Sequence, residues 1–378
     1  MPTLYRQFGR TGLEVSVLGF GCMRLPTLDD GGIDEPEAIR MIRHAIDNGV
    51  NYIDTAWPYH KEKGELLVGK ALQDGYRERV FLATKSPVYL VKEPADFDKY
   101  LNLQLEKLQT KHIDFYLLHA LNGQRWQDCK EQQVFDFIQR AKADGRIKYI
   151  GFSFHDKVEV FKQIIDEYDW DFCQIQLNYM NEEYQAGLEG LRYAAGRGLP
   201  VVIMEPLLGG KLARAGKELQ RIWDSAPVKR SPAAWALRWL WNMPEVTVVL
   251  SGMSTMNQVQ ENLSIAGEAL PNSLTPEELQ VIAKAREFYL SRIQVDCTGC
   301  DYCADCPSQV RISSIFSLHN QAYMYEDHET ARAHYRRLME AERDASRCIQ
   351  CGQCEGLCPQ NLEIRRLLQE IHQRYKFA

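Results

Sequence analysis

Four polar residues near the start of the chain have the types and spacing for proton transfer: Asp54, Tyr59, Lys85 and His119. Three of them close apolar runs. Asp54 ends Tyr52-Ile53-Asp54, Lys85 follows Val80-Phe81-Leu82-Ala83-Thr84, and His119 follows Phe115-Tyr116-Leu117-Leu118. Tyr59 lies in the loop just after Asp54. A phenol titrates near about pH 10 and is a poor acid at neutrality. A neighbouring ammonium favours the phenolate and lowers that value. Lys85 is the expected ammonium, Asp54 its ion-pair anchor, and His119 the hydrogen-bond donor that orients a substrate oxygen. Together they suit protonation of a carbonyl oxygen while a hydride reaches its carbon. Tyr59 would be the acid in reduction and the base in oxidation. Each residue also has a plainer reading. Asp54 could shape a turn, Lys85 could be solvated, and His119 could satisfy a core hydrogen bond.

A second chemistry lies at the other end. Eleven cysteines are present, and eight of them fall between Cys297 and Cys358. The first run is Cys297, Cys300, Cys303 and Cys306 followed by Pro307. The second is Cys348, Cys351, Cys354 and Cys358 followed by Pro359. The second has the C-x2-C-x2-C-x3-C-P spacing of bacterial ferredoxins, and the first differs only in its last interval. Three thiolates at such intervals can wrap one face of a 4Fe–4S cubane. A single cluster and structural zinc are the alternatives, although three consecutive C-x2-C steps overspecify a four-ligand zinc site. Cys22, Cys129 and Cys173 read as packed core thiols.

The elements that must position these groups show in the apolar pattern. Eight β-rich runs begin at Val15, Tyr52, Val80, Phe115, Tyr149, Phe172, Val201 and Val246. Helical periodicity fills the gaps, as in Pro36–Asn48, where Ala38, Ile39, Ile42, Ala45 and Ile46 share a face. Such alternation predicts an α/β protein, a (β/α)8 TIM barrel with its chemistry at the C-terminal strand ends. An open doubly wound sheet is disfavoured, because no strand is followed by a complete G-x-G-x-x-G turn. The cysteine distribution divides the chain into a barrel at 1–292 and a small cysteine-rich, ferredoxin-like helical and loop domain at 293–378. A chain of 378 residues, 45% hydrophobic and 25% charged, has the balance of a globular protein rather than a disordered one. Its net charge of -6 argues against a nucleic-acid partner. No run of about 18 apolar residues exists, so no membrane span is expected. The first residues, Met1 to Gln7, lack the apolar centre of a signal peptide. The chain therefore reads as cytoplasmic, where clustered cysteines serve as metal or redox ligands rather than disulfides.

Asp54-Thr55-Ala56 with Tyr59, then Gly64-Glu65-Leu66-Leu67-Val68-Gly69-Lys70-Ala71-Leu72, resembles the aldo/keto reductase signature. Ala83-Thr84-Lys85 and Tyr116-Leu117-Leu118-His119 resemble the rest of that family's tetrad. The resemblance covers nearly all of residues 4–270. It implies a TIM barrel that binds NAD(P)H without a Rossmann fold and reduces a small-molecule carbonyl, with Asp54, Tyr59, Lys85 and His119 in the roles above. It further implies that Gly21, Cys22, Met23 and Asp54 line the nicotinamide. Ser153 and Gln174 would hold the carboxamide, with Phe154 standing where the family has asparagine. Met204 takes the place of a stacking aromatic, within a segment that continues to Pro206 and Leu207. Gly252, Gln258, Glu261 and Asn262 match the adenosine-phosphate segment, but Gly252 and Gln258 replace the basic phosphate clamp. That weakens any expectation of NADP over NAD. Lys211 could reach a pyrophosphate, though a surface role is the plainer reading.

The tail resembles a two-cluster ferredoxin. That likeness implies Cys297, Cys300, Cys303 and Cys358 around one cluster, and Cys306, Cys348, Cys351 and Cys354 around the other. The whole resembles the iron–sulfur-containing branch of aldo/keto reductases. Hydride transfer moves two electrons and a cluster passes one. The clusters are therefore expected to stabilise the fold, sense redox state or reach another carrier such as a partner ferredoxin. A flavin is compatible with this but no motif indicates one. The competing expectation is an electron-transfer or redox-sensing protein on a reductase scaffold with little carbonyl turnover.

Overall fold

The computed structural model describes residues 3–376; Met1, Pro2, Phe377 and Ala378, at the outer limits of the two expected domains, lie outside the described residues. Ten strands are described: β1 Tyr5–Gln7, β2 Glu14–Ser16, β3 Leu18–Gly21, β4 Tyr52–Asp54, β5 Phe81–Ser86, β6 Ile113–Leu121, β7 Ile147–Phe154, β8 Phe172–Gln176, β9 Val201–Met204 and β10 Val246–Ser251. Strands β3 to β10 close into an eight-stranded parallel barrel in sequence order, with β10 pairing β3. This is the (β/α)8 architecture that the alternating pattern predicts.

The first run divides differently from its sequence reading. Val15 and Ser16 belong to β2, which pairs antiparallel with β1, and the first barrel strand starts only at Leu18. The hairpin is pinned from below. Arg6 Nη2 donates to Trp241 O at 2.6 Å and Nη1 to Met243 O at 3.0 Å. Phe8, in the hairpin connection, enters an aromatic layer with Tyr52, Phe115 and Phe172, all fully buried. Its ring lies 4.4 Å from that of Phe115, which lies 5.2 Å from both Tyr52 and Phe172. Filling this end of the barrel with rings leaves the polar strand residues to gather at the opposite, C-terminal end.

Several barrel helices start at side-chain caps. Asp34 accepts from Glu37 N ahead of the helix Glu35–Asp47, and Ser231 accepts from Ala234 N ahead of Pro232–Trp241, each with proline in the first turn. Thr255 caps Met256–Ala266 through Gln258 N. Among the described residues, no helix is long and apolar enough to cross a membrane.

The chain forms two compact units. One holds the barrel through Arg214 and again over 230–279; the other holds 215–229 and everything from Gln280 onward. The border drawn at 292 from the cysteine distribution thus differs from these contacts, in which the segment from Gln280 to Arg292 joins the cysteine-rich unit. Side chains explain why. The Tyr289 ring packs 5.1 Å from Tyr325, and Arg292 pairs with both Glu218 and Glu326. The apolar centre of this second unit comprises Val310, Ile315, Phe316, Tyr335, Leu368, Ile371 and Tyr375. It is drawn largely from the helices Ile312–Met324, His328–Glu340 and Ile364–Tyr375.

Candidate active site

Strands β4 and β5 pair with Asp54 opposite Ala83, so Lys85 stands one pleat further along and on the same face. Its Nζ donates to Asp54 Oδ1 at 2.6 Å and to Thr55 O at 2.9 Å, and both side chains are almost wholly buried. Gln174 Nε2, from β8, donates to Asp54 Oδ2 at 3.2 Å. Burial alone would release the proton of Lys85, but Asp54 and Tyr59 more than offset it and hold the ammonium charged. Nζ lies 5.2 Å from the centroid of the Tyr59 ring. The expected anchor and ammonium are therefore together beside the phenol. The expected depression of the phenol is not found. Burial raises the Tyr59 pKa, and Lys85 offsets that rise only in part.

Tyr59 sits on a strained turn. His60, Lys61 and Glu62 are all left-handed, with φ of 51°, 55° and 68°, a conformation that disfavours side chains. Gly64 lets the turn close. A Cβ there would lie 3.1 Å from the Tyr59 Cβ and 3.2 Å from its carbonyl oxygen.

His119 lies within β6, short of its end. Ala120 beside it is left-handed at φ 52°, and the β6–β7 register shifts between Leu118 and Leu121. The bulge is held on both sides, because Ala120 N donates to Ser153 Oγ at 2.7 Å and Arg125 Nη1 donates to Ala120 O at 2.7 Å. The His119 ring stands edge-on to Tyr59 at 6.4 Å, and its Nδ1 is buried without a partner. Burial first, then the charges of Lys85, His155 and Arg125, push its pKa down to about 3. The imidazole is neutral at working pH.

A buried polar layer behind the site was not anticipated from sequence. Thr84 Oγ1 and Gln104 Nε2 donate to Glu65 Oε1, Gln104 Nε2 also donates to Lys85 O at 3.1 Å, and Tyr116 OH donates to Gln104 Oε1 at 2.8 Å. Glu65 within the Gly64–Leu72 segment was the available signal.

The expected cofactor residues divide into two groups. Gly21 pairs with Asp54 across β3 and β4. Cys22 is fully buried, and that burial pushes its thiol pKa up. Met23 is exposed. Gln174 Oε1 is buried and unpartnered, which leaves an acceptor for an amide N–H. Ser153 accepts from Ala120 N, so its own O–H is what it has to give. Met204 ends β9, and Pro206 and Leu207 lead into the turn Leu208–Ala213, where Gly209 and Gly210 are left-handed. The remaining residues already have partners. Gln258 Oε1 accepts from Ser254 N at 2.8 Å, Glu261 accepts from Ser231 Oγ, and Asn262 Nδ2 donates to Ser251 Oγ at 2.8 Å.

Gly252 is glycine for a visible reason. A Cβ there would lie 2.8 Å from Arg24 Cγ, and one at Gly209 would lie 3.7 Å from Arg24 Nη2. The Arg24 side chain therefore runs between the loops after β9 and β10. Those are the seventh and eighth barrel strands, whose loops form phosphate sites in many such barrels. Arg24 directly follows Gly21-Cys22-Met23, and that adjacency was its signal in the sequence.

The eight clustered cysteines are free thiols around two cavities. One is lined by Cys297, Cys300, Cys303 and Cys358; the other by Cys306, Cys348, Cys351 and Cys354, and Cys303 lines both. The two loops share one backbone shape. Left-handed residues stand second and fourth after the first cysteine in each, Gly299 and Asp301 in one and Gln350 and Gly352 in the other. Burial raises the thiol pKa of Cys297 and Cys354 and pushes Cys303 up to about 11. Among the described residues, no three His, Cys, Asp or Glu side chains gather tightly enough for a single metal ion.

The profile of the aldo/keto reductase family matches residues 17–287, and that of a 4Fe-4S dicluster domain matches residues 296–363. An L-galactose dehydrogenase of Arabidopsis thaliana is 26% identical over 299 residues, spanning 73% of this chain and 92% of its own. The uncharacterized oxidoreductase YrpG of Bacillus subtilis is 28% identical, over 74% and 94%. The solved holo structure of aldo-keto reductase AKR11C1 from Bacillus halodurans superposes with a TM-score of 0.63 at 30% identity, covering 75% of this chain and 96% of that one.

The neutral state of His119 has a thermodynamic consequence. Unfolding returns the ring to an ordinary value near about 6.5, so below that pH the unfolded chain takes up a proton that the folded chain refuses. The resulting stabilisation is complete above about pH 6.5 and is lost as pH falls toward the folded value of about 3. Tryptophan-monitored denaturation midpoints at pH 7.5 and pH 5 should fall further for the parent than for His119→Gln. Equal losses would show that the ring is not held neutral.

Proposed function

The chain belongs to the aldo/keto reductase family, and from that premise we propose that it reduces a small-molecule carbonyl with NAD(P)H, Tyr59 acting as the general acid. It is an oxidoreductase of TIM-barrel fold with a 4Fe-4S dicluster domain at its C-terminal end. The observation that carries the reading is the buried ammonium of Lys85, held by Asp54 and Thr55 beside the Tyr59 ring.

The carbonyl oxygen sits between the Tyr59 hydroxyl and the neutral His119 ring, which orients it through an N–H. Tyr59 gives up its proton as negative charge develops on that oxygen. The phenolate left behind is stabilised by Lys85, whose charge no longer faces an uncompensated environment because Asp54 balances it. Lys85 thereby offsets part of the rise that burial imposes on the phenol. In oxidation the same groups act in reverse. A bound nicotinamide cofactor would supply or accept the hydride. Gln174 Oε1 and the Ser153 hydroxyl would hold its carboxamide, and Gly21, Cys22, Met23 and Met204 would line its ring. Pro206, Leu207, Gly209, Gly210, Gly252 and Arg24 would hold the pyrophosphate. Gln258, Glu261 and Asn262 shape the adenosine end from their internal bonds.

The donor set of the second unit fits two 4Fe–4S clusters. Eight thiols line two cavities in the crossed assignment, with Cys358 joining the first run and Cys306 the second. Such clusters supply one-electron transfer when bound. Cys300 and Cys351 are exposed, which suits exchange with an external carrier such as a ferredoxin.

Replacing Tyr59 by Phe keeps the ring and removes the acid. Turnover of an aldehyde should fall by about 10²–10⁴-fold with NADPH affinity nearly intact; a rate within threefold of the parent would remove Tyr59 from the mechanism. Arg24→Met should weaken NADPH and NADH alike, by about tenfold to a hundredfold, because the pyrophosphate is common to both. Unchanged affinity in a fluorescence titration would exclude Arg24 from the cofactor site. Protein made anaerobically should hold about eight irons and eight acid-labile sulfides per chain, and Cys351→Ser should lose roughly half of each. Iron near four would mean one cluster, and zinc without sulfide would refute the redox reading of this unit.

A further inference from the structure

The barrel mouth contains a second cation that the carbonyl chemistry leaves unused. Arg125, in the helix Gly123–Glu131 that follows His119, is half-buried and donates through Nη1 to Ala120 O at 2.7 Å. Its guanidinium carbon lies 5.7 Å from the centroid of the Tyr89 ring, and that ring lies 6.2 Å from His119. Tyr59, His119, Tyr89 and Arg125 thus follow one another along one wall. Beyond them His155 Nδ1 faces Gln185 Oε1 at 3.2 Å.

The charges along this wall do not cancel. Lys85 is balanced by Asp54 at 2.6 Å. Several arginines elsewhere on the barrel are paired, such as Arg77 with Asp114 and both Arg140 and Arg146 with Asp98. Arg125 has no carboxylate at ion-pair distance among the described residues, although Glu62 lies near Tyr89 and Glu205 near His155. A guanidinium offers five N–H donors in a planar fork that matches a carboxylate. Among the described residues one of its nitrogens is engaged, by the Ala120 carbonyl.

We propose that the substrate is a carbonyl compound bearing a carboxylate, with Arg125 binding the acid group while the carbonyl reaches Tyr59 and His119. This rests on the carbonyl-reductase reading of the site. Tyr89 touches both His119 and Arg125, and a substrate whose acid and carbonyl are several bonds apart would span from one to the other. The favoured class is an aryl or medium-chain oxo acid rather than a 2-oxo acid. Tyr89, 43% exposed, lies alongside the connecting carbons.

Arg125 also braces the left-handed Ala120, and a purely structural role would slow all substrates alike. The experiment must therefore read a ratio. Full-length, anaerobically purified protein is assayed with saturating NADPH on 4-formylbenzoate and on its methyl ester, which differ at the far end by the charge and one methyl group. The parent should favour the acid by about tenfold or more in kcat/KM. Arg125→Met should bring the ratio to about one, and Arg125→Lys should restore part of it. A parent ratio near one, or a ratio that survives Arg125→Met, overturns the proposal, as does an equal loss on both substrates. Should neither aldehyde be reduced, the carbonyl-reductase reading itself has failed, and calorimetry then decides the role of Arg125. Preferential binding of 4-(hydroxymethyl)benzoate over its methyl ester, abolished in Arg125→Met, supports the acid site; binding without preference removes it.

Discussion

The Lys85–Asp54 ion pair is the constraint around which the barrel mouth is built. Two charges are removed from water, and such a pair is tolerable only when the remaining donors and acceptors are also met. Here they are. Thr55 O takes a second N–H of the ammonium, and Gln174 takes the second carboxylate oxygen. Removing one partner would strand the other, at a cost of about 3–5 kcal/mol. The pair draws on three strands, with Gln174 on β8 reaching across the barrel to β4. Closure of the barrel and completion of the site are therefore one event. The Glu65–Gln104–Thr84 layer extends the same logic outward, because Gln104 fixes the carbonyl of Lys85 and with it the strand that aims the ammonium.

Around that rigid pair, Tyr59 and His119 sit on strained backbone. Three left-handed residues follow Tyr59, and one follows His119. Each costs of order 1 kcal/mol or more, and such strain persists only where surrounding contacts over-determine it. Gly64 packed against Tyr59 provides one such contact. Ser153 and Arg125, binding the two faces of the Ala120 peptide environment, provide others. The cysteine loops use the same device for another purpose. Alternating left-handed residues turn successive thiols toward one cavity, and the shape repeats although Gly299 and Asp301 in one loop become Gln350 and Gly352 in the other.

Strand-end logic made much of this legible in the sequence. Asp54, Lys85 and His119 each follow an apolar run, and parallel strands in sequence order bring their ends to one rim. The cysteine spacing was equally direct, because ligand runs are local. What escaped were effects of distance. Val15 and Ser16 read as barrel strand, but their partner is the antiparallel Tyr5–Gln7, which no pattern within the run reveals. The phenol of Tyr59 was expected to be depressed by Lys85. Burial outweighs that charge, and burial is a property of the assembled mouth. Gln258 and Asn262 have internal partners, and Arg24 fills the space over Gly252 from the opposite edge of the sheet seam. The space that a side chain at Gly252 would occupy is taken by one more than two hundred residues away in the chain. Segment 215–229 gave no sign of belonging with the cysteine-rich unit, since its tie is Glu218 to Arg292.

The two chemistries differ in what they require of the protein. The proposed carbonyl reduction needs a proton and a hydride, and the barrel would supply its own donor in Tyr59, its own charge balance in the Lys85–Asp54 pair and a neutral His119 ring for orientation. Nothing in that step calls for a one-electron centre. The dicluster domain needs thiols held as thiolates, yet burial raises Cys297, Cys303 and Cys354 toward the neutral form. Metal coordination reverses that preference, so ligand ionisation, cluster binding and folding of these loops are coupled. Their backing is an apolar core of their own, with Ile315, Phe316, Ile364 and Leu368 behind the cysteines. The barrel site is thus set by long-range strand pairing, and the cysteine sites by short loops that metal must complete. On the proposed reading the barrel would exchange electrons in pairs and the dicluster domain singly, so the second unit would add a redox route that the barrel's own chemistry does not require.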